Sequence, residues 1–314
     1  MKIWQQKDAG IYIVHVEKTS LMDILRYRKN TKAVVLILVL VLIIIGIIFL
    51  INIINIKIVN KKQEEYNQQI ILKEQIEEQA KVNKQEEKKS QEKIPILTEE
   101  GRQNVATIYR SNTKRAFLTF DDGPSTVTPL ILDVLKEKGV KATFFVLGSQ
   151  VEIMPEITKR IYSEGHYIAN HGYSHVYSSI YASPEEVLNE FNLCNEAVKK
   201  AIGIEEYNSH LFRFPGGYSG GIYAEIKSQA KDLLSQNDIL YVDWNVLTGD
   251  SETTKPTVEF EMTRLRETLQ NKSSAVILMH DAKAKKVTAE ALPQIIDYLK
   301  DQGYEFKSFY DIIK

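Results

Sequence analysis

Five short stretches of the chain place acids, bases and potential ligands where chemistry could be done. Asp121 and Asp122 stand side by side in Thr119-Phe120-Asp121-Asp122-Gly123-Pro124. Neighbouring side chains on an extended chain point apart, but a Gly-Pro turn can bring both carboxylates to one place; Asp-Gly-Pro is equally ordinary turn chemistry. His171 and His175 are four apart in His171-Gly172-Tyr173-Ser174-His175, the spacing that sets two imidazoles on one face of a helical turn, as paired ligands of one metal. Together with a carboxylate such as Asp122 they make three ligands and leave positions free for water and substrate, the pattern of a catalytic rather than a structural zinc. In Arg213-Phe214-Pro215-Gly216-Gly217-Tyr218 the arginine could stabilise an ionised aspartate, and the turn could offer bare N–H groups to a developing oxyanion. Asp243, followed by Trp244, lies in an apolar stretch where a carboxylate needs a partner. Leu278-Met279-His280-Asp281 ends another apolar run in a histidine, a candidate general acid if a carboxylate keeps it charged.

These side chains need a scaffold, and the texture after Pro95 supplies one. Residues 116–120, 142–146, 211–214, 239–246, 275–279 and 304–306 read as short strands, and 127–138, 155–163, 184–201 and 288–301 as helices, with further helices near 222–235 and 256–270. Ser183 caps one helix, and Gly165 and Gly303 follow the ends of two others. Alternating strand and helix implies a largely parallel sheet with helices outside it, either open or closed into a barrel. In both architectures ligands bind at the C-terminal ends of the strands, where each of the five stretches falls.

The N-terminal third reads differently. Residues 33–51 run AVVLILVLVLIIIGIIFLI without a charge, matching the ~20 residues a helix needs to cross a bilayer. The apolar run begins too far from the N-terminus for a cleaved signal peptide. Arg26, Arg28, Lys29 and Lys32 precede it, while Lys57, Lys61 and Lys62 follow at greater distance, so the charge bias puts the N-terminus in the cytoplasm. Residues 60–93 are rich in Lys, Glu, Gln and Asn with only sparse apolar points, a solvated, partly helical spacer rather than a steady coiled-coil seam. The expected organisation is a cytoplasmic segment (1–32), a transmembrane helix (33–56), a charged spacer (57–100) and a catalytic domain (101–314). A net charge of −1 gives no case for a nucleic-acid partner. The single cysteine, Cys194, cannot form an internal disulfide and reads as a packing residue.

In order and spacing, the five stretches across 116–281 resemble the catalytic domain of the carbohydrate esterase family 4 polysaccharide deacetylases, the NodB-homology domain. That resemblance covers about two thirds of the chain. It implies a distorted (β/α) barrel, one divalent metal (zinc first, with cobalt or manganese as alternatives) and hydrolytic removal of acetyl groups from a polysaccharide. It further implies Asp122, His171 and His175 as metal ligands and Asp121 as general base, tethered by Arg213. Gly216 N–H would face the oxyanion, His280 would be the general acid with Asp243 tuning it, and Trp244, Leu278, Pro215 and Tyr218 would line the substrate pocket. The chain departs from the family pattern at Gly172, Val176 and Leu240, none of which removes a ligand or an acid–base group. With a membrane anchor and spacer, the expected substrate is peptidoglycan N-acetylglucosamine outside the cell. The alternatives are N-acetylmuramic acid in the same polymer, a chito-oligosaccharide, an exopolysaccharide, acetylated xylan, or a glycan-binding module without activity.

Overall fold

In a computed structural model of the protein, residues 3–4, 7–8, 11–12, 15–16, 21–91 and 94–313 are described. The chain forms two units, residues 1–82 and 83–314. In the first, β1 (Ile3–Trp4) pairs antiparallel with β4 (His15–Val16), and β2 (Lys7–Asp8) with β3 (Ile11–Tyr12). Helix α1 (Leu21–Gln91) follows, so the spacer that reads as partly helical is helical from residue 60 to 91. Its stretch from Val34 to Val59 carries exposed Val, Leu, Ile and Phe, and it is long and apolar enough to cross a membrane.

The second unit begins with α2 (Glu99–Ala106), capped by the Thr98 hydroxyl. Strand and helix then alternate: β5 (Arg115–Asp121), α3 (Thr128–Lys138), β6 (Thr143–Val146), α4 (Gly148–Ile153), α5 (Pro155–Ser163), β7 (Tyr167–Asn170), α6 (Tyr177–Ile180) and α7 (Pro184–Ile202). After these come β8 (Leu211–Phe212), α8 (Ala224–Gln236), β9 (Leu240–Tyr241), β10 (Val246–Leu247), α9 (Val258–Leu269), β11 (Ser274–His280), α10 (Lys286–Asp301) and β12 (Glu305–Phe306). Seven strands lie in the order β10-β11-β5-β6-β7-β8-β9, all parallel, and β12 pairs with the start of β5. The sheet curls into a parallel half-barrel, consistent with the distorted (β/α) barrel that the family resemblance implies.

Two expectations fail locally. The run 239–246 is not one strand but β9 and β10, which lie at opposite edges of the sheet, so residues 242–245 cross the seam between them. Strand β7 was absent from the expected set; at four residues, with Tyr167 to Asn170 all buried, it shows no alternation to reveal it.

Strand parity decides what the barrel encloses. Ala116, Leu118 and Phe120 on β5 pack outward beneath the helices, with Phe144 and Val146 of β6 and Ala275, Ile277 and Met279 of β11. Phe117, Phe145, Ala169, Leu211 and Val276 form a second, inner cluster. Side chains on a strand alternate, so continuing each inner row by two residues reaches Thr119 and Asp121, His171, Arg213, and Leu278 and His280. Catalytic-type residues from four strands therefore face one interior at its C-terminal mouth.

Helix α4 is clamped into this arrangement by a glycine. Gly148 N–H donates to Gly172 O at 3.0 Å, and a Cβ at Gly148 would lie 2.5 Å from the Tyr173 ring and 2.7 Å from the Cys194 backbone. The Cys194 thiol is buried there and donates to Val146 O at 3.4 Å, a packing role as expected. Gly148→Ala should cost about 2 kcal/mol by overpacking. Gly139→Ala, at a positive φ of 67° with open space around it, should cost about 1 kcal/mol. Urea denaturation of both variants in one detergent checks the order; equal midpoints would mean that α4 has room to shift.

Candidate active site

Arg213 is fully buried at the end of β8, and a guanidinium there must meet acceptors on every side. It does: Nε donates to Val242 O at 3.2 Å, and one terminal nitrogen to Thr119 Oγ1 and Asp121 Oδ1, both at 2.8 Å. The other donates to Asp243 O at 3.0 Å, and the Phe145 ring lies 3.9 Å from the guanidinium carbon. Asp121 is thus held at Oδ1, while its Oδ2 lies 3.9 Å from His171 Nε2. Burial raises the Asp121 carboxyl above its ordinary value, against the lowering by Arg213 and His280.

Asp122 Oδ1 lies 3.5 Å from His171 Nε2 and 3.3 Å from His175 Nε2, and the three ligand atoms all fall within 4.8 Å of one another. That oxygen is buried without a hydrogen-bond partner among the described residues. On His171, Nδ1 meets Arg213 O at 2.8 Å, a contact that needs the proton on Nδ1 and leaves the Nε2 lone pair facing Asp122. Burial depresses the His171 imidazole to about 3, which keeps it neutral and able to coordinate. An orphaned carboxylate oxygen facing two imidazole nitrogens fits a small divalent cation, and Asp122, His171 and His175 are the residues that could hold one.

The histidines do not come from a helical turn. They sit in an irregular loop after β7, in which Gly172 (φ 86°) and His175 (φ 57°) are left-handed; Asp122 is left-handed as well (φ 72°). Glu190 of α7 organises that loop. Its Oε2 accepts the N–H groups of Tyr173 (2.5 Å) and Ser174 (2.7 Å), and Oε1 accepts the Ser174 hydroxyl (2.6 Å). Sequence reasoning missed Glu190; the signal was an acidic residue on the apolar face of the 184–201 helix.

On the other side of the mouth, His280 is the in-register neighbour of Asp121 across β11 and β5. Its carboxylate partner is Asp250, not Asp243. Asp250 Oδ1 takes His280 Nδ1–H and Oδ2 takes the His280 backbone N–H, both at 2.8 Å. Burial disfavours the His280 imidazolium, but the hydrogen bond and charge of Asp250, with the charges of Asp121 and Asp122, outweigh it and lift the group to about 9. Asp243 is turned elsewhere: both its oxygens accept Tyr218 N–H, at 3.1 and 3.0 Å. It lies on the seam crossing, whereas Asp250 follows β10, the strand beside β11, and so lies next to His280.

The remaining expected residues are fixed by contacts of their own. Pro215 O accepts the Tyr181 hydroxyl at 2.7 Å and Gly217 O accepts Lys227 Nζ at 2.6 Å, which fixes the turn that exposes Gly216. Trp244 packs so closely on Gly217 that a Cβ would lie 3.1 Å from its ring. Trp244, Tyr218, Asp243, Tyr109 and Tyr241 line a cleft of about 620 Å³. Leu278 is buried on β11, two residues before His280.

Residues 109–235 match the family model described as polysaccharide deacetylase. A putative polysaccharide deacetylase of Bacillus subtilis, YheN, is 34% identical over 206 residues, covering 65% of this chain and 70% of that protein. A peptidoglycan-N-acetylglucosamine deacetylase of Bacillus cereus is 32% identical over 201 residues, covering 63% of this chain and 70% of the relative. Among solved structures, a Streptococcus mutans CE4 esterase superposes with a TM-score of 0.60 at 33% identity, over 70% of this chain and 93% of its own.

The pairing of His280 has a direct spectroscopic consequence. Titrated by NMR, the His280 imidazole should ionise near 9 in the unaltered protein. Asp250→Asn should lower that value by more than about one unit, while Asp243→Asn should leave it within about half a unit. The reverse order would return the partnership to Asp243.

Proposed function

The chain belongs to the polysaccharide deacetylase family, and we propose that it removes N-acetyl groups from peptidoglycan outside the cell, acting on N-acetylglucosamine units. The observation that carries this reading is the flanking of the Asp122–His171–His175 trio by two differently prepared acid–base groups, Asp121 on Arg213 and His280 on Asp250. A cation in the trio would lower the pKa of a water and polarise an acetamide carbonyl. Asp121 receives the proton of the attacking water at Oδ2, the oxygen that Arg213 leaves unbound. The backbone N–H of Gly216 faces the oxygen on which charge develops. His280 then passes the Nε2 proton to the departing amine, since Nδ1 is engaged by Asp250 and an amine anion is too poor a leaving group to depart unaided. Trp244, Tyr218, Pro215 and Leu278 wall the space for the acetyl methyl and the sugar beside it.

Peptidoglycan as substrate rests on the Bacillus cereus relative, named a peptidoglycan-N-acetylglucosamine deacetylase, and on the apolar segment of α1. We read residues 33–56 as a membrane anchor, with 1–32 in the cytoplasm, 57–100 as a spacer and 101–314 as the catalytic domain. A tethered enzyme outside the membrane meets wall glycan and releases acetate there. Zinc suits the mixed nitrogen and oxygen donor set.

Full-length protein in detergent, supplied with zinc, should release acetate from purified wall glycan, and mass spectrometry should show N-acetylglucosamine units that have each lost one acetyl. Asp122→Asn should lose bound metal and turnover together. Asp121→Asn should keep its metal and lose at least ~100-fold in turnover, the usual worth of a positioned base. Equal metal loss in the two variants would sink the assignment of ligand and base.

Topology has its own test. Protease added to intact cells should cut within 60–110 and release a soluble, active fragment. Protection of the domain until lysis would place it on the cytoplasmic side.

A further inference from the structure

Behind the His280–Asp250 pair lies a second buried carboxyl that the reaction above does not use. Glu261 of α9 is fully buried, and its Oε1 lies 3.4 Å from the hydroxyl of Thr288 on α10. The same hydroxyl lies 3.1 Å from Asp250 Oδ2. Thr288 carries one hydroxyl hydrogen and so can donate to only one of the two carboxyls. Asp250 Oδ2 already accepts the His280 backbone N–H, and Oδ1 accepts the His280 ring. Were Glu261 ionised as well, Thr288 could donate to only one of the two buried anions and would turn a lone pair toward the other, and Glu261 Oε2 has no partner among the described residues. One added proton resolves the conflict. On Glu261 Oε1 it donates to Thr288 Oγ1, and Thr288 is then free to donate to Asp250.

We propose that Glu261 is a neutral carboxylic acid whose proton fixes the Thr288 hydroxyl as a donor to Asp250, making Glu261 a positioning residue for the carboxylate that holds His280. The relay runs His280–Asp250–Thr288–Glu261 from the barrel mouth to the layer between α9 and α10. Groups facing Glu261 are Asp250 on the loop after β10, His280 on β11, and Lys285 and Thr288 at the start of α10. Lys285 is engaged by Asp250 O at 2.8 Å. Burial, then the charge of Asp250, push the Glu261 carboxyl up to about 8, against the lowering by Thr288, Lys285 and His280. The consequence for catalysis rests on the reading of His280 as general acid; the protonation of Glu261 does not.

The test uses full-length protein in detergent and four forms: unaltered, Glu261→Gln, Glu261→Met and Thr288→Val. Infrared difference spectra at pH 7 between the unaltered protein and Glu261→Gln should show loss of a protonated-carboxyl C=O band; loss of a carboxylate band instead overturns the proposal. Thermal denaturation supplies the sign. From the ordinary carboxylate range up to about 8 the folded protein keeps the Glu261 proton and the unfolded chain releases it, so stability falls as pH rises through that window. The fall in Tm from pH 5 to 8 should therefore be larger in the unaltered protein than in Glu261→Gln; equal falls count against the proposal.

In acetate release, Glu261→Gln retains an N–H donor to Thr288 and should keep kcat at pH 7. Glu261→Met and Thr288→Val should lose roughly fivefold in kcat with KM unchanged, about the worth of one hydrogen bond. Above pH 8.5 the unaltered enzyme should fall below Glu261→Gln by roughly threefold or more, because only the glutamate can ionise. A Glu261→Met enzyme with unaltered kcat would overturn the positioning role. If no N-acetylated glycan releases acetate with the unaltered protein, the functional reading fails, while the infrared and thermal measurements still decide the state of Glu261.

Discussion

One buried positive charge organises the mouth of this barrel. Arg213 reaches from β8 through the interior to Thr119 and Asp121 on β5 and to the seam carbonyls of Val242 and Asp243. Thr119 can accept that bond because its own hydrogen goes to Ile277 O on β11 at 2.6 Å. A guanidinium in this position is tolerable only while all these acceptors stay in place, since removing one partner of a buried pair typically costs about 3–5 kcal/mol. The constraint ties three strands and the seam to one geometry. Arg213 also contributes its carbonyl to His171 Nδ1, so the residue that holds Asp121 sets the tautomer of the first imidazole. The positions of Asp121 and His171 cannot drift independently.

Burial disfavours the charged form of both histidines that flank the centre, but their partners give it opposite outcomes. His171 is buried with no anion on its Nδ1 side, only a carbonyl, and burial drives it down to about 3. His280 is nearly as enclosed, yet the Asp250 carboxylate on Nδ1 outweighs desolvation and lifts it to about 9. A carbonyl in one case and a carboxylate in the other thus separate a neutral imidazole from a charged one. Beside both, Asp121 has burial raising it while Arg213 lowers it. Pairs of titratable groups pushed apart by their surroundings are how one site can run acid and base steps together.

Much of this was legible in the chain. The strands carrying Asp121, Arg213 and His280 stood out as short apolar runs ending in polar residues, and the alternation of strand and helix implied a parallel sheet. What escaped has physical reasons. The stretch 239–246 looks like a single strand because Ile, Leu, Tyr and Val are spread along it, but hydrophobicity does not reveal that the sheet is open between β9 and β10 and that the chain must cross there. The wrong partner for His280 came with the family resemblance, which gave that role to Asp243. Asp243 lay on the presumed strand and Asp250 beyond it, whereas the true strand β10 ends at Leu247 and delivers Asp250 beside β11. The spacing of His171 and His175 anticipated their proximity for the wrong reason, since a loop with three intervening residues brings the rings to a 5.4 Å centroid separation as well as a helical turn could.

The loop geometry also explains why the three ligand-type side chains stay apart. At 3.3 and 3.5 Å, Asp122 Oδ1 is farther from the two Nε2 atoms than in a normal charge-assisted hydrogen bond of about 2.7–2.9 Å. Two of the three residues, Asp122 and His175, occupy left-handed backbone conformations that cost of order 1–3 kcal/mol each. Such conformations persist only where neighbours over-determine them. Here Glu190 fixes two N–H groups and a hydroxyl between the histidines, and Leu147 N–H takes Gly123 O at 2.9 Å just after Asp122. The Asp281 carboxylate packs so tightly on Gly123 that no Cβ would fit. The strain is thus held by α7, by the start of α4 and by the end of β11, all rigid parts of the barrel. Little of the binding free energy of a cation would then be spent on ordering its ligands, because the fold has already placed them.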